Sequence, residues 1–204
     1  TRRRPLRLRE VSEKRFAVDG SPTDSVLIGV REVMKDLPPD IVLSGVNRGG
    51  NLCDDVTYSG TIAAAMEGTL LGIPSVALSL ATEGDKTARW ATAEQWAPGV
   101  LRRLVEVGWP ENVVININFP NIPGNSVTGI SVTSQGTGKT GQGMTKGLDP
   151  HGDEIFWLGT ETHAERYRNG NDVEAIKRGE VSVTPLSLDL THRPVLDFLR
   201  AEFR

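Results

Sequence analysis

One cysteine and three histidines are all the thiol and imidazole ligands that this 204-residue chain offers. Cys53 alone forms no internal disulfide and no Cys-rich zinc site, and a lone thiol fits a reducing compartment. His151, His163 and His192 are scattered without ligand spacing, and no nucleophile elbow stands near to make a triad of one of them. Aromatics are scarce at 5%; Trp90, Trp96, Trp109 and Trp157 read as core or interface residues. No signal peptide and no run of ~20 apolar residues is present, so neither export nor a membrane partner is expected and the protein reads as cytoplasmic. The net charge of −3 leaves no basic field of the kind that nucleic acid requires. Arg2, Arg3, Arg4, Arg7 and Arg9 alternate with Leu6 and Leu8, which suits a solvated edge strand better than a nucleic-acid arm.

What is present reads as an α/β protein. PLRLREV and FAVDG are short strands, and Thr23 or Asp24 is placed to cap a helix carrying Val26, Leu27, Val30, Val33 and Met34. Pro38 and Pro39 end that helix. DIVLSG, SVALSL and NVVININFP are apolar strands without alternation, as expected when a parallel sheet is covered on both faces. TIAAAMEGTLLG lies between the first two and makes a βαβ unit with them. The helical stretch near Thr87 to Val107 contains Pro98 and Gly99, which predict a kink or a split. Beyond Pro120, GISVTS, DEIFWLGT and EVSVTPLSLDLT are strands between polar loops, with short helices at Asp172 to Lys177 and after Pro194. Gly136 to Gly152 holds six glycines and reads as a mobile loop or extended arm. Residues 1–122 form the α/β core, and 123–204 a β-rich extension with an oligomerisation arm and a C-terminal helix, within the same domain.

Between Ser44 and Ile62 the oily pattern stops, and SGVNRGGNLCDDVTYSGT is dense in Gly, Asn, Asp, Ser and Thr. Ser59, Gly60 and Thr61 stand at a helix start, where free N–H groups and the positive end of the dipole attract phosphate. They are equally an ordinary cap, but the loop lies at the carboxyl end of a parallel strand, where open α/β sheets place ligands. Asn47, three residues past the strand, carries an oxygen suited to Mg²⁺ or Mn²⁺, or forms a turn before glycine. Asp54 and Asp55 are candidates to bind metal directly, to orient one of its ligands, or to hold the loop by hydrogen bonds to its own amides, and the loop-supporting role is the favoured one. GTGKT at Gly136 to Thr140 lacks the first glycine of a nucleotide triphosphate loop, and GVNRGG fails the dinucleotide spacing.

The run SGVNRGGNLCDDVTYSGTIAAAMEG resembles the signature loop and helix of the SurE family of survival-protein nucleotidases. GSPTDSV, ALSL, ININFP, DPHGDEIFWLG and the NDVEAI…GEVSVTPLSLDLT tail are similar in the same order across the whole chain. The resemblance implies a Rossmann-like, mostly parallel sheet with a β-rich C-terminal extension that builds homodimers or homotetramers. It implies a divalent-metal-dependent phosphomonoester hydrolase (a 5′-nucleotidase) that acts on nucleoside 5′- and 3′-monophosphates, some members also cutting short polyphosphate. Asn47 would be a ligand of Mg²⁺ or Mn²⁺; Ser59, Gly60 and Thr61 would be the phosphate cradle, with Asn51 a further substrate contact. A non-catalytic nucleotide-binding or assembly module of the same fold is the alternative.

The family also carries a paired-aspartate motif at the end of its first strand and a serine ligand in a later loop, both before the segment that matches Thr1. The expectation is that about 50 further residues precede Thr1 in the native protein, in keeping with ordinary domain sizes, and that the chain as given is inactive without those ligands. Ser21 and Ser25 stand where threonine and cysteine are usual.

Overall fold

The structure, a computed structural model, describes residues 4–82, 86–138, 144–158 and 170–203. Arg2 and Arg3, Lys139 and Thr140 of the GTGKT run, and His163 lie outside the described residues.

A central five-stranded sheet is built from β3 (Val42–Arg48), β4 (Ser75–Ala81), β5 (Val113–Pro120), β9 (Glu180–Ser187) and β6 (Gly129–Val132), in that order. β3, β4 and β5 run parallel, as do β6 and β9, whereas β5 and β9 are antiparallel. The sheet is therefore mixed and mostly parallel, and the 1–122 and 123–204 segments both supply its strands. Two small hairpins stand apart from it: β1 (Leu8–Ser12) with β2 (Arg15–Val18), and β7 (Met144–Leu148) with β8 (Glu154–Leu158). The arginine-rich start is thus one strand of a hairpin, with Arg4 and Arg7 paired to Asp19 at 3.1 and 3.3 Å. Part of the glycine-rich arm likewise becomes an ordered hairpin, turned by Asp149, whose Oδ1 accepts the His151 and Asp153 N–H groups at 2.8 and 2.9 Å.

Both faces of the sheet are covered, which is why its central strands β4 and β5 are buried along their length and rich in apolar residues. On one face α3 (Trp90–Val107) lays Ala93 and Val100 on Val76, Leu78, Leu80, Ile115, Ile117 and Phe119. On the other, α2 (Gly60–Leu70) lays Ile62 and Ala65 on Ala77, Val114 and Leu186. α2 can lie this close because Gly68 has no side chain: a Cβ there would come within 2.9 Å of Val42 Cβ.

Local details depart from the sequence reading in two places. The first helix, α1 (Pro22–Ile28), is capped by Ser21, and Asp24 is its third residue. Asp24 completes a capping box by accepting the Ser21 N–H at 2.8 Å. Pro98 does not split α3. The ring sits on the exposed side of the helix, so the carbonyl that loses its amide partner faces solvent and the helix continues. Of the tryptophans, Trp96 and Trp109 pack against the core and donate to the Gly124 and Val113 carbonyls at 2.9 and 3.1 Å, while Trp90 and Trp157 are exposed. α4 (Asp172–Lys177) and α5 (Arg193–Glu202) fall where expected, and His192 caps α5, its Nδ1 accepting from Val195 N–H at 3.2 Å.

Candidate phosphate site

The sheet delivers the candidate residues to its carboxyl edge by a bulge. Ser44 pairs with Ala77 but Asn47 with Ser79, so β3 spends three residues where β4 spends two. The oily run does end at Ser44, yet the strand continues to Arg48, and Asn47 lies within it rather than beyond it. Such a bulge re-aims side chains next to sites. The Asn47 NH₂ donates to the Gly49 carbonyl at 2.9 Å, which fixes the amide plane. Among the described residues nothing donates to its Oδ1.

Asn51 turns inward and is 6% exposed. Its NH₂ donates to Ser79 Oγ, and its own backbone is gripped by two asparagines of β5. Asn118 Oδ1 accepts the Asn51 N–H at 2.8 Å and Asn118 Nδ2 donates to the Asn51 carbonyl at 3.0 Å; Asn116 Nδ2 donates to the same carbonyl at 2.8 Å. Asn51 is thereby anchored through its backbone, and the NH₂ of the side chain read as a substrate contact is engaged by Ser79.

From Cys53 to Tyr58 the chain forms a 3₁₀ turn that leads into α2. Cys53 has φ of +52°, and its N–H is accepted by Asp172 Oδ2 at 2.9 Å, across from α4. Asp172 Oδ1 also accepts the Gly136 N–H at 3.0 Å, and Gln135 Nε2 donates to the Cys53 carbonyl at 3.0 Å. Asp54 accepts the Gly138 N–H at 3.0 Å. The root of the arm is therefore stapled to the site loop. Burial, and then the carboxylate of Asp172, push the Cys53 thiol up from 9.0 to about 12, so it stays protonated at neutral pH and is no nucleophile.

Ser59 is the N-cap of α2: its Oγ accepts the Ile62 N–H at 3.0 Å. The hydroxyl thus serves the helix, and the groups left facing outward at this end are the first-turn amides with exposed Gly60 and half-buried Thr61. A Cβ on Gly60 would stand 3.1 Å from Pro22 Cγ, so the start of α1 lies against the start of α2.

Asn47, Asn51, Asp54, Asp55, Ser59, Gly60 and Thr61 therefore belong to one continuous strand, loop and helix start. Among the described residues no three His, Cys, Asp or Glu side chains group so as to hold a metal. A hard divalent cation wants charged oxygens besides neutral ones, and Asn47 Oδ1 offers a single neutral donor, so these residues on their own do not make up its site. A cavity of about 910 Å³ opens elsewhere, between the first hairpin and α1, and no candidate residue lines it.

Asn116, Asn118, Asp172 and Gln135 were not singled out by sequence reasoning. The signal for the first two is in ININFP, because asparagine is depleted in strands and here occupies every second position of a buried one.

The comparisons agree with the geometry. The family model for the survival protein SurE matches residues 1–142. The 5′-nucleotidase SurE of Paramagnetospirillum magneticum is 54% identical over 203 residues, covering 100% of this chain and 78% of that protein. That of Parvibaculum lavamentivorans is 50% identical over 194 residues, covering 93% and 69%. The crystal structure of the SurE protein from Aquifex aeolicus matches with a TM-score of 0.86 at 36% identity, over 100% of this chain and 82% of that one. A strand, bulged loop and helix start that gather the signature residues, on a fold shared with a solved member, place this chain in the SurE family.

Proposed function

We propose that the chain is a nucleotidase: a phosphomonoester hydrolase acting on nucleoside 5′- and 3′-monophosphates, with phosphate held at the start of α2. The observation that carries this is the helix start at the carboxyl end of a parallel strand, with exposed Gly60 and half-buried Thr61 at its opening, in a chain whose relatives are named 5′-nucleotidases. The α2 amides would bear the charge on the phosphoryl oxygens, and Thr61 Oγ1 is a further donor in reach of the same end. Asn47 would contribute its oxygen to Mg²⁺ or Mn²⁺, whose chemistry is to polarise the phosphoryl group and acidify the attacking water. Asp54 supports the loop through Gly138, and Asp55 is assigned the same part.

Phosphate release from AMP and GMP with Mg²⁺ or Mn²⁺ tests the reading. Asn47→Ala and Thr61→Ala are each expected to lower kcat/KM on the order of 100-fold; near-wild-type rates from both would remove the assignment. Nucleotide binding by calorimetry without any release would favour the non-catalytic module instead.

The segment 123–204 is assigned two tasks, completing the sheet and joining copies into a homodimer or homotetramer. The β7–β8 hairpin exposes Met144, Phe156 and Trp157, and α5 exposes Val195, Phe198 and Leu199, areas that contact between copies would cover. Light scattering at micromolar concentration is expected to give at least twice the 22.1 kDa chain mass; a clean monomer would rule this out. No helix among the described residues is long and apolar enough to cross a membrane, and the cytoplasm is the compartment proposed.

A further inference from the structure

On the α2 side of the sheet, chemistry changes along each strand toward the carboxyl edge. β5 presents Val114, then Asn116, then Asn118; opposite them β9 presents Leu186, Thr184 and Ser182 in register. β4 presents Ala77 and then Ser79. The apolar members pack under α2. The polar members lie deeper than any solvent, since Asn116 and Asn118 are both 0% exposed. They are held by protein groups: Thr133 Oγ1 bonds Ser182 and Thr184 at 2.8 and 2.7 Å, and the two asparagines hold Asn51.

Asparagine is a poor choice for a buried strand if packing is the only demand. Here it also leaves a polar atom stranded, because Asn116 Oδ1 is buried without a partner among the described residues, at a cost to stability. The gain lies at the other end of these side chains. Asn118 reads both the N–H and the carbonyl of one residue, Asn51, and Asn116 seconds it on the carbonyl. Gripped on both groups, the peptide backbone at Asn51 keeps neither its position nor its rotation free. Two residues later Asp172 pins Cys53, and the 3₁₀ turn from there to Tyr58 delivers Ser59 and the start of α2.

We propose that Asn118, seconded by Asn116, is the positioning residue of the phosphate cradle. From inside the sheet it fixes where the loop leaves β3 and therefore how the Asn47 oxygen and the α2 amides face one another. The two ligand-facing groups sit on opposite sides of the gripped residue, four positions before it and eight or more after it. Cys53, two residues on, is held on its N–H and carbonyl as well, but by two separate side chains, Asp172 and Gln135, whereas Asn118 alone reads both groups of Asn51. This rests on the phosphate reading of the site above. Misplacing such groups by about an ångström is enough to lose some 100-fold in rate.

The test is Asn118→Leu, close in volume and favourable in an apolar strand, assayed in the whole protein for nucleoside monophosphate hydrolysis and, by calorimetry, for binding of inorganic phosphate. The expected result is a KM and a phosphate Kd raised about 10-fold or more, together with a lower kcat. A side chain that merely helped folding would reduce the active fraction, lowering kcat and leaving KM and Kd unchanged, and that outcome overturns the proposal. Should Asn118→Leu fail to fold, Asn116→Val decides, since it removes the stranded oxygen while deleting one bond to Asn51. A KM and Kd raised about threefold are then expected, and unchanged values overturn the proposal. Phosphate binding that weakens in the variants of a protein that hydrolyses nothing would support the positioning role while refuting nucleotidase activity; a wild-type protein that neither binds nor hydrolyses refutes both.

Discussion

Asp172→Ala is expected to lower the free energy of unfolding by about 3–5 kcal/mol. The carboxylate is fully buried, and its two oxygens accept the N–H groups of Cys53, Gly136 and Val173 at 2.9, 3.0 and 2.9 Å. Alanine strands all three donors. Each costs about 1–3 kcal/mol when left unpaired in the interior, and relief from burying a carboxylate offsets part of that sum. At roughly 2–4 °C per kcal/mol for a chain of this length, thermal melting should show a fall of about 10 °C. Asp172→Asn keeps one acceptor and turns an NH₂ group toward a donor, so its melting point should lie between. A shift near zero for alanine would mean that the loop amides find other acceptors and that α4 is no clasp.

Gly45→Ala is the second large effect, for a different reason. Gly45 has φ of +130° and lies in β3 against β4, where a Cβ would be driven into the Leu78 carbonyl oxygen, with Leu78 Cβ also at 3.1 Å. The obstacle is backbone of the central sheet and cannot swing aside. Overpacking of this kind costs about 1–3 kcal/mol, and the left-handed φ adds about 1–2 more for a residue with a side chain. The strand must move instead, and Asn47, two residues on, moves with it. The expected result is a stability loss of about 3 kcal/mol by urea unfolding, with hydrolysis falling at least as far as for Asn47→Ala. Wild-type stability would show that β3 can pass β4 at a greater distance.

The parts of this molecule that follow from local chemistry were legible in the sequence. SVALSL and NVVININFP announce covered strands, Ser59 to Thr61 announces a helix start, and α4 falls at Asp172 to Lys177 as read. What stayed hidden depends on pairing between distant segments. The apolar run stops at Ser44, yet β3 continues to Arg48 because β4 supplies partners beyond the bulge for Asn47 and Arg48, which no property of GVNR itself reveals. Asn51 reads as a polar loop residue open to ligand until two asparagines some 65 residues away claim its backbone. Asp172 reads as a first-turn acid, which it is; that it also reaches two other segments follows only from the packing of α4. The split at Pro98 failed for a simpler reason, since the cost of proline in a helix depends on which side of it the freed carbonyl faces.

The bond from Cys53 to Asp172 spans 119 positions, and this has a bearing on how the protein is made. During synthesis the strand, loop and helix start emerge first, but the residue that closes them emerges long afterwards, following β6 and the arm. A loop of that length is closed late in folding, because its entropy must be met before the contact returns anything. An emerging chain that stops short of α4 can have the whole signature sequence and still lack the ordered loop. Completion of the site therefore waits for α4, and incomplete chains released early would be poor competitors for nucleotide.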